Sequence, residues 1–132
     1  MDKHIIIVED DPFTQEFYKY LFSKTKYKTI TMEDGDKLME ILAEDFAGLV
    51  IMDINLKNTY MKGEKVDGVI LSRFIKQNAS LSKVPVLLVT AYQKNIGPNN
   101  YFEESLANDY IVKPILDYND LLNKVNNLII KH

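Results

Sequence analysis

Five short runs rich in β-branched or aromatic residues alternate with segments of helical periodicity along these 132 residues, and that alternation restricts the fold more than any other feature. The runs are "IIIV" (5–8), "YKTITM" (27–32), "LVIM" (49–52), "VPVLLVT" (84–90) and "YIV" (110–112). Between the first two, Phe13, Phe17, Tyr20 and Leu21 recur at three- and four-residue intervals after Asp11-Pro12, which reads as an N-cap followed by proline at the first helical position. Leu38, Ile41 and Leu42 predict a short second helix. Val69, Ile70, Phe74 and Ile75 predict the stripe of a third, and Leu121, Leu122, Val125, Leu128 and Ile129 that of the last. "QKNIGPNNYFEESLAN" holds Gly97-Pro98 and predicts a long loop, then a helix from about 99 to 107.

Strands alternating with helices imply right-handed crossovers and a parallel sheet covered on both faces, whose strands are near-continuously apolar. The expected fold is a doubly wound α/β domain, with a five-stranded parallel sheet in a three-layer α/β/α arrangement and residues 1–132 forming one domain. At 15.3 kDa such a chain buries roughly two thirds of its unfolded surface in a single core. No internal repeat or low-complexity tract interrupts it.

Composition narrows the chemistry. A net charge of −3 gives no electrostatic case for nucleic-acid binding, and the absence of cysteine removes disulfides, thiolate metal sites and thiol nucleophiles. No apolar run approaches membrane length or a signal-peptide core, so no membrane partner and a cytoplasmic location are the expectation. His4 and His132 are the only histidines, and neither lies on an amphipathic helix suited to phosphotransfer. Lys19, Lys24, Lys26 and Lys28 read as a solvated helix end or a docking patch.

In open α/β sheets the ligand crevice lies beyond the carboxyl ends of the strands. Those ends carry Glu9, Asp10 and Asp11 after the first run, Asp53 after the third, Thr90 after the fourth and Lys113 after the fifth. Two carboxylates about 4 Å apart repel by about 4 kcal/mol at an effective dielectric near 20, so three acids require a counter-ion. Hard oxygen donors with no histidine or cysteine nearby suit Mg²⁺, with Mn²⁺ as the alternative. Lys113 supplies a point charge and Thr90 a hydroxyl for the oxygens of a phosphoryl group. Asp53 ends the central strand among these groups, which makes it the candidate nucleophile for taking phosphate onto a carboxylate. Asp11 is left as a helix cap.

The elements "IIIVEDD", "LVIMDINL", "VPVLLVTA" and "DYIVKPI", in this order, resemble the response-regulator receiver domain of bacterial-type two-component signalling over nearly the whole chain. The resemblance implies a flavodoxin-like sheet of strand order 2-1-3-4-5. It makes Asp53 the phosphoacceptor, with Asp10, Asp53 and the Asn55 backbone carbonyl ligating Mg²⁺ directly and Glu9 acting through water. Thr90 is similar to the family's switch hydroxyl, Tyr110 to its switch aromatic and Lys113 to its lysine, followed by Pro114 where such domains usually have a cis peptide. Asn55 and Tyr92 fall where the family tunes dephosphorylation, and a bulky Tyr92 would screen the phosphoryl group from water.

A stand-alone receiver so implied is a phosphorylation switch rather than an enzyme, apart from self-catalysed phosphotransfer and slow autodephosphorylation. It takes phosphate from a histidine kinase or phosphotransfer protein, signals to a downstream protein target, binds no nucleic acid directly and is a monomer or weak dimer. The chain ends about where the last helix should, so output is expected through protein contacts. Two departures from the family stand out. "NLKNTYMKGEKV" after Asp53 is longer than the usual turn and lacks its proline, and is expected to be a mobile exposed loop whose Lys57, Lys62 and Lys65 hang near the acids. The Gly-Pro-Asn-Asn break interrupts 93–104, where the family's usual signalling face begins.

Other functions fit less well. A Mg²⁺-dependent aspartyl-phosphate phosphatase would want an acid two residues after the nucleophile, where this chain has Asn55. A flavin or nucleotide carrier would want a glycine- or hydroxyl-rich phosphate cradle in place of "EDDPF". A phosphorylation-independent scaffold would have no use for the set Asp10, Asp53, Thr90 and Lys113.

Overall fold

A computed structural model describes residues 3–91 and 100–130. Branched aliphatics without a polar alternate can settle only where both faces of a strand are covered, and the apolar runs do so in one parallel sheet. Its strands are His4–Val8 (β1), Thr29–Met32 (β2), Ala47–Asp53 (β3), Val86–Thr90 (β6) and Asp109–Val112 (β7), in the order β2-β1-β3-β6-β7. This is the expected order 2-1-3-4-5, because a two-stranded hairpin, Tyr60–Met61 (β4) and Glu64–Lys65 (β5), intervenes in the chain without joining the sheet.

Alternation along each strand sorts side chains into two layers. Ile6 and Val8, Val50 and Met52, Val86 and Leu88 pack with Leu38 and Leu42 of helix Gly35–Ala43 (α2) and with Leu71 and Ile75 of helix Gly68–Gln77 (α3). Ile5 and Ile7, Leu49 and Ile51, Leu87 and Val89 pack on the other side with Tyr18, Leu21 and Phe22 of helix Pro12–Ser23 (α1) and with Leu121 and Val125 of helix Tyr118–Leu128 (α5). The fourth helix, Tyr101–Ser105 (α4), joins the α2/α3 side through Tyr101. It is shorter than the 99–107 expected, since Leu106 closes it in the left-handed region at φ 59.

Each helix starts at an oxygen-bearing side chain that accepts from its first-turn amides: Asp11, Asp34, Asp67, Asn100 and Asp117 in turn. Two expected stripes are corrected. In α1, Leu21 is buried and Phe17 packs against the core as expected, whereas Phe13 and Tyr20 are 87% and 64% exposed and Tyr18 and Phe22 face the sheet in their place. In α3, Ile70 is exposed, and Leu71 and Ser72 lie buried with Val69 and Ile75.

The insert after Asp53 keeps Lys57, Lys62 and Lys65 exposed as expected, but it is a hairpin rather than an irregular loop. Lys62 and Gly63 form its tip at φ 53 and 79, the positive values a two-residue hairpin turn requires, and Leu56, Thr59 and Val66 are buried beneath it. Of its lysines, Lys57 lines the acidic cleft, whereas Lys62 sits over the Phe74 ring at 5.6 Å.

Candidate functional site

The parallel sheet brings the ends of β1, β3, β6 and β7 to one edge, where an open cleft of about 770 Å³ is lined by Glu9, Asp10, Asp53, Asn55, Lys57 and Lys113, among others. Asp53 ends β3 and is 4% exposed. Its Oδ1 lies 2.9 Å from Lys113 Nζ and accepts the Asn55 amide at 3.2 Å. Glu9 follows β1 and is buried against the same carboxyl. Burial first, then the hydrogen bond to Asp53 and its charge, pushes the Glu9 carboxyl up to about 7. The pair is therefore short of positive charge, and Lys113 offsets only part of the deficit.

The neighbouring acids are turned to other tasks. Asp10 Oδ2 accepts the backbone amides of Lys57 at 2.6 Å and Asn58 at 2.9 Å, so its carboxylate is tied to the insert. Asp11 accepts the Thr14 amide and hydroxyl at 3.1 and 2.6 Å, capping α1, and the hydroxyl bond chiefly holds its carboxyl below the usual range. Among the described residues no three carboxylates or histidines converge into a ready-made metal cage.

Thr90 is buried at the end of β6, one residue past the Asp53↔Val89 pairing, and its carbonyl accepts the Lys113 amide at 2.7 Å. The Lys113–Pro114 bond is cis. Tyr110 on β7 is half-buried, its ring 5.1 Å from that of Phe102 in α4. Tyr92 and His132 lie outside the described residues, as do 93–99 of the break after β6.

The cleft thus holds a carboxyl buried at a strand end between a lysine and a second acid. The profile of the response regulator receiver domain matches residues 5–126. The chain belongs to the response regulator receiver domain family. As a receiver domain it is a regulatory domain of two-component signalling. It is 32% identical over 129 residues to the TorCAD operon transcriptional regulatory protein TorR of Escherichia coli K12, covering 98% of this chain and 51% of TorR. The chain thus spans about half the length of that relative. It is 28% identical to the polar-differentiation response regulator DivK of Brucella ovis, covering 87% of each. Among solved structures, the receiver domain of sensor histidine kinase PA1611 from Pseudomonas aeruginosa, described with a magnesium ion in its active site cleft, superposes with a TM-score of 0.78 at 21% identity, over 97% of this chain and 98% of that one.

Two residues around the cleft were missed by the sequence reading. A Cβ on Gly68 would lie 2.1 Å from the Asp53 carbonyl oxygen, so this receiver domain can bring the start of α3 against the end of β3 only with glycine there. The Asp67-Gly68 pair ahead of a helix was the available signal. Tyr18 lies buried within the field of Glu9 and Asp53, and burial together with those charges pushes its hydroxyl pKa upward. Its signal was obscured by the competing stripe on α1.

Proposed function

We propose that this receiver domain is a phosphorylation switch that accepts a phosphoryl group on Asp53 from a histidine kinase or phosphotransfer protein. The observation that carries the reading is the buried Asp53 carboxyl, with Lys113 Nζ 2.9 Å away, Glu9 hydrogen-bonded beside it and Thr90 ending the adjacent strand. An Asp53 oxygen attacks phosphorus and forms the P–O bond of an acyl phosphate. The P–N bond to the donor imidazole breaks, and the imidazole keeps the bonding pair and takes up a proton. Lys113 holds a phosphoryl oxygen by its charge, and Thr90 donates its hydroxyl to another.

The donor set fits a small divalent cation, since the cleft is lined with hard oxygens and its buried acid pair lacks positive charge. Asp53, Asp10 and the Asn55 carbonyl would hold Mg²⁺ or its substitute Mn²⁺, with Glu9 acting through water. When bound, the ion neutralises the carboxylates and the incoming phosphoryl oxygens. The magnesium in the receiver domain of PA1611 supports this choice of metal.

About 1.5 to 2 added negative charges then bias Thr90 toward the phosphoryl group and Tyr110 away from Phe102, altering the surface offered to a downstream protein. Phe13 and Leu116, 87% and 86% exposed, give the protein donor apolar footing on the α1 and β7–α5 side. No helix among the described residues is long and apolar enough to cross a membrane.

Acetyl phosphate with Mg²⁺, followed by intact mass, tests the reading. Wild type should gain one phosphoryl group and Asp53→Asn none. An equal gain in both, or none in either, overturns it.

A further inference from the structure

The hairpin of residues 56–66 is fastened at two places by carboxylates that the body of the domain supplies. At its entry, Asp10 Oδ2 accepts both the Lys57 and Asn58 amides. At its tip, the Lys62 amide donates to both oxygens of Asp36 in the first turn of α2, at 3.0 and 3.1 Å. Between the anchors the hairpin presses so closely on α2 that a Cβ at Gly35 would lie 2.7 Å from the Tyr60 carbonyl oxygen.

Inside, the hairpin is less well made. Thr59 is fully buried, with its hydroxyl oxygen among the few buried side-chain atoms lacking a hydrogen-bond partner among the described residues. The unpartnered hydroxyl disfavours the attached state, so the two charge-assisted anchors carry a large share of what keeps the hairpin down. One anchor is a carboxylate of the acidic cleft itself: the two amides occupy Oδ2, draw charge from the carboxylate and fix its orientation, so a cation that draws on Asp10 works against both bonds.

Taking the proposed cation role of Asp10 as given, we infer that the insert is a strap competing with the divalent cation for Asp10. Cation uptake then releases the entry of the hairpin, and attachment of the hairpin holds back cation uptake, the two effects being reciprocal. A cation bound only to the released state has its affinity reduced by the fraction of molecules released. The metal occupancy of the cleft is thereby transmitted to α2, a face of the domain outside the strand-end edge.

Two variants remote from the cleft move the balance in opposite directions. Asp36→Ala removes the tip anchor and should raise Mg²⁺ affinity about threefold or more in calorimetry. Thr59→Val removes the unpartnered hydroxyl, tightens the hairpin and should lower affinity by a similar factor. In wild type, saturating Mg²⁺ should speed hydrogen exchange of the Lys57 and Asn58 amides about tenfold, while the β3 amides stay protected. Unchanged affinity in both variants, or Lys57 and Asn58 amides that keep their protection when Mg²⁺ is bound, overturns the strap and leaves the phosphorylation switch standing. Failure of wild type to take up Mg²⁺ at all overturns both.

Discussion

Glu9 illustrates how one buried carboxyl ties stability to the chemistry of the cleft. Its pKa stands near 7 in the folded protein against an ordinary 4.5, so between those values the folded chain keeps a proton that the unfolded chain has lost. The unfolded state then binds fewer protons, and stability falls as pH rises from about 4.5 to about 7, with no further loss from this group above that window. In buffer free of divalent ions, Glu9→Gln should flatten this part of a melting-temperature profile against pH, and an unaltered slope would contradict the assignment. Gly68 acts by having no side chain. Gly68→Ala places a methyl 2.1 Å from the Asp53 carbonyl oxygen, and overpacking against backbone should cost about 1–3 kcal/mol in urea unfolding. Because the displaced atoms belong to the proposed phosphoacceptor, phosphoryl uptake from acetyl phosphate should slow as well.

Helix α1 carries two overlapping apolar stripes, and each has its own use. Tyr18, Leu21 and Phe22 hold it to the sheet, whereas Phe13 projects into solvent at its first turn. Leu116 projects likewise from the β7–α5 connection, and neither residue belongs to a core cluster. The double variant Phe13→Ala, Leu116→Ala should therefore leave unfolding free energy within about 0.5 kcal/mol of wild type. Phosphorylation by acetyl phosphate should be unaffected, while transfer from a protein donor should fall about tenfold or more, as for a lost interface anchor. A parallel fall with both donors would show that these side chains serve the cleft rather than a partner.

The two apolar layers share a single sheet, so neither can be lost alone. Leu87 faces the α1/α5 layer and its neighbour Leu88 the α2/α3 layer, both fully buried. Alanine at either position removes a whole buried side chain and should cost about 2–5 kcal/mol. Unfolding should nevertheless remain one transition in both variants, with circular dichroism and tyrosine fluorescence coincident. Separated transitions would mean that the layers melt independently.

The strands and the acidic rim could be read from local sequence because both are local properties. An apolar run such as Ile5–Val8 demands burial wherever it sits, and an acid following it, Glu9 or Asp53, must stand at the strand end. Helix facing was not legible in this way. On α1 both 13, 17, 20, 21 and 18, 21, 22 follow helical spacing, and only packing against the sheet buries Tyr18 and Phe22 and leaves Phe13 and Tyr20 outside. The hairpin strands are two residues each and largely polar, too short to show a period. The bonds from Asp10 to Lys57 and Asn58 span 47 and 48 residues, and the fit of Gly68 against Asp53 joins two separate elements. Such contacts exist only once β1, β3 and α3 are assembled, because chain folding sets the distances that residue identity leaves open.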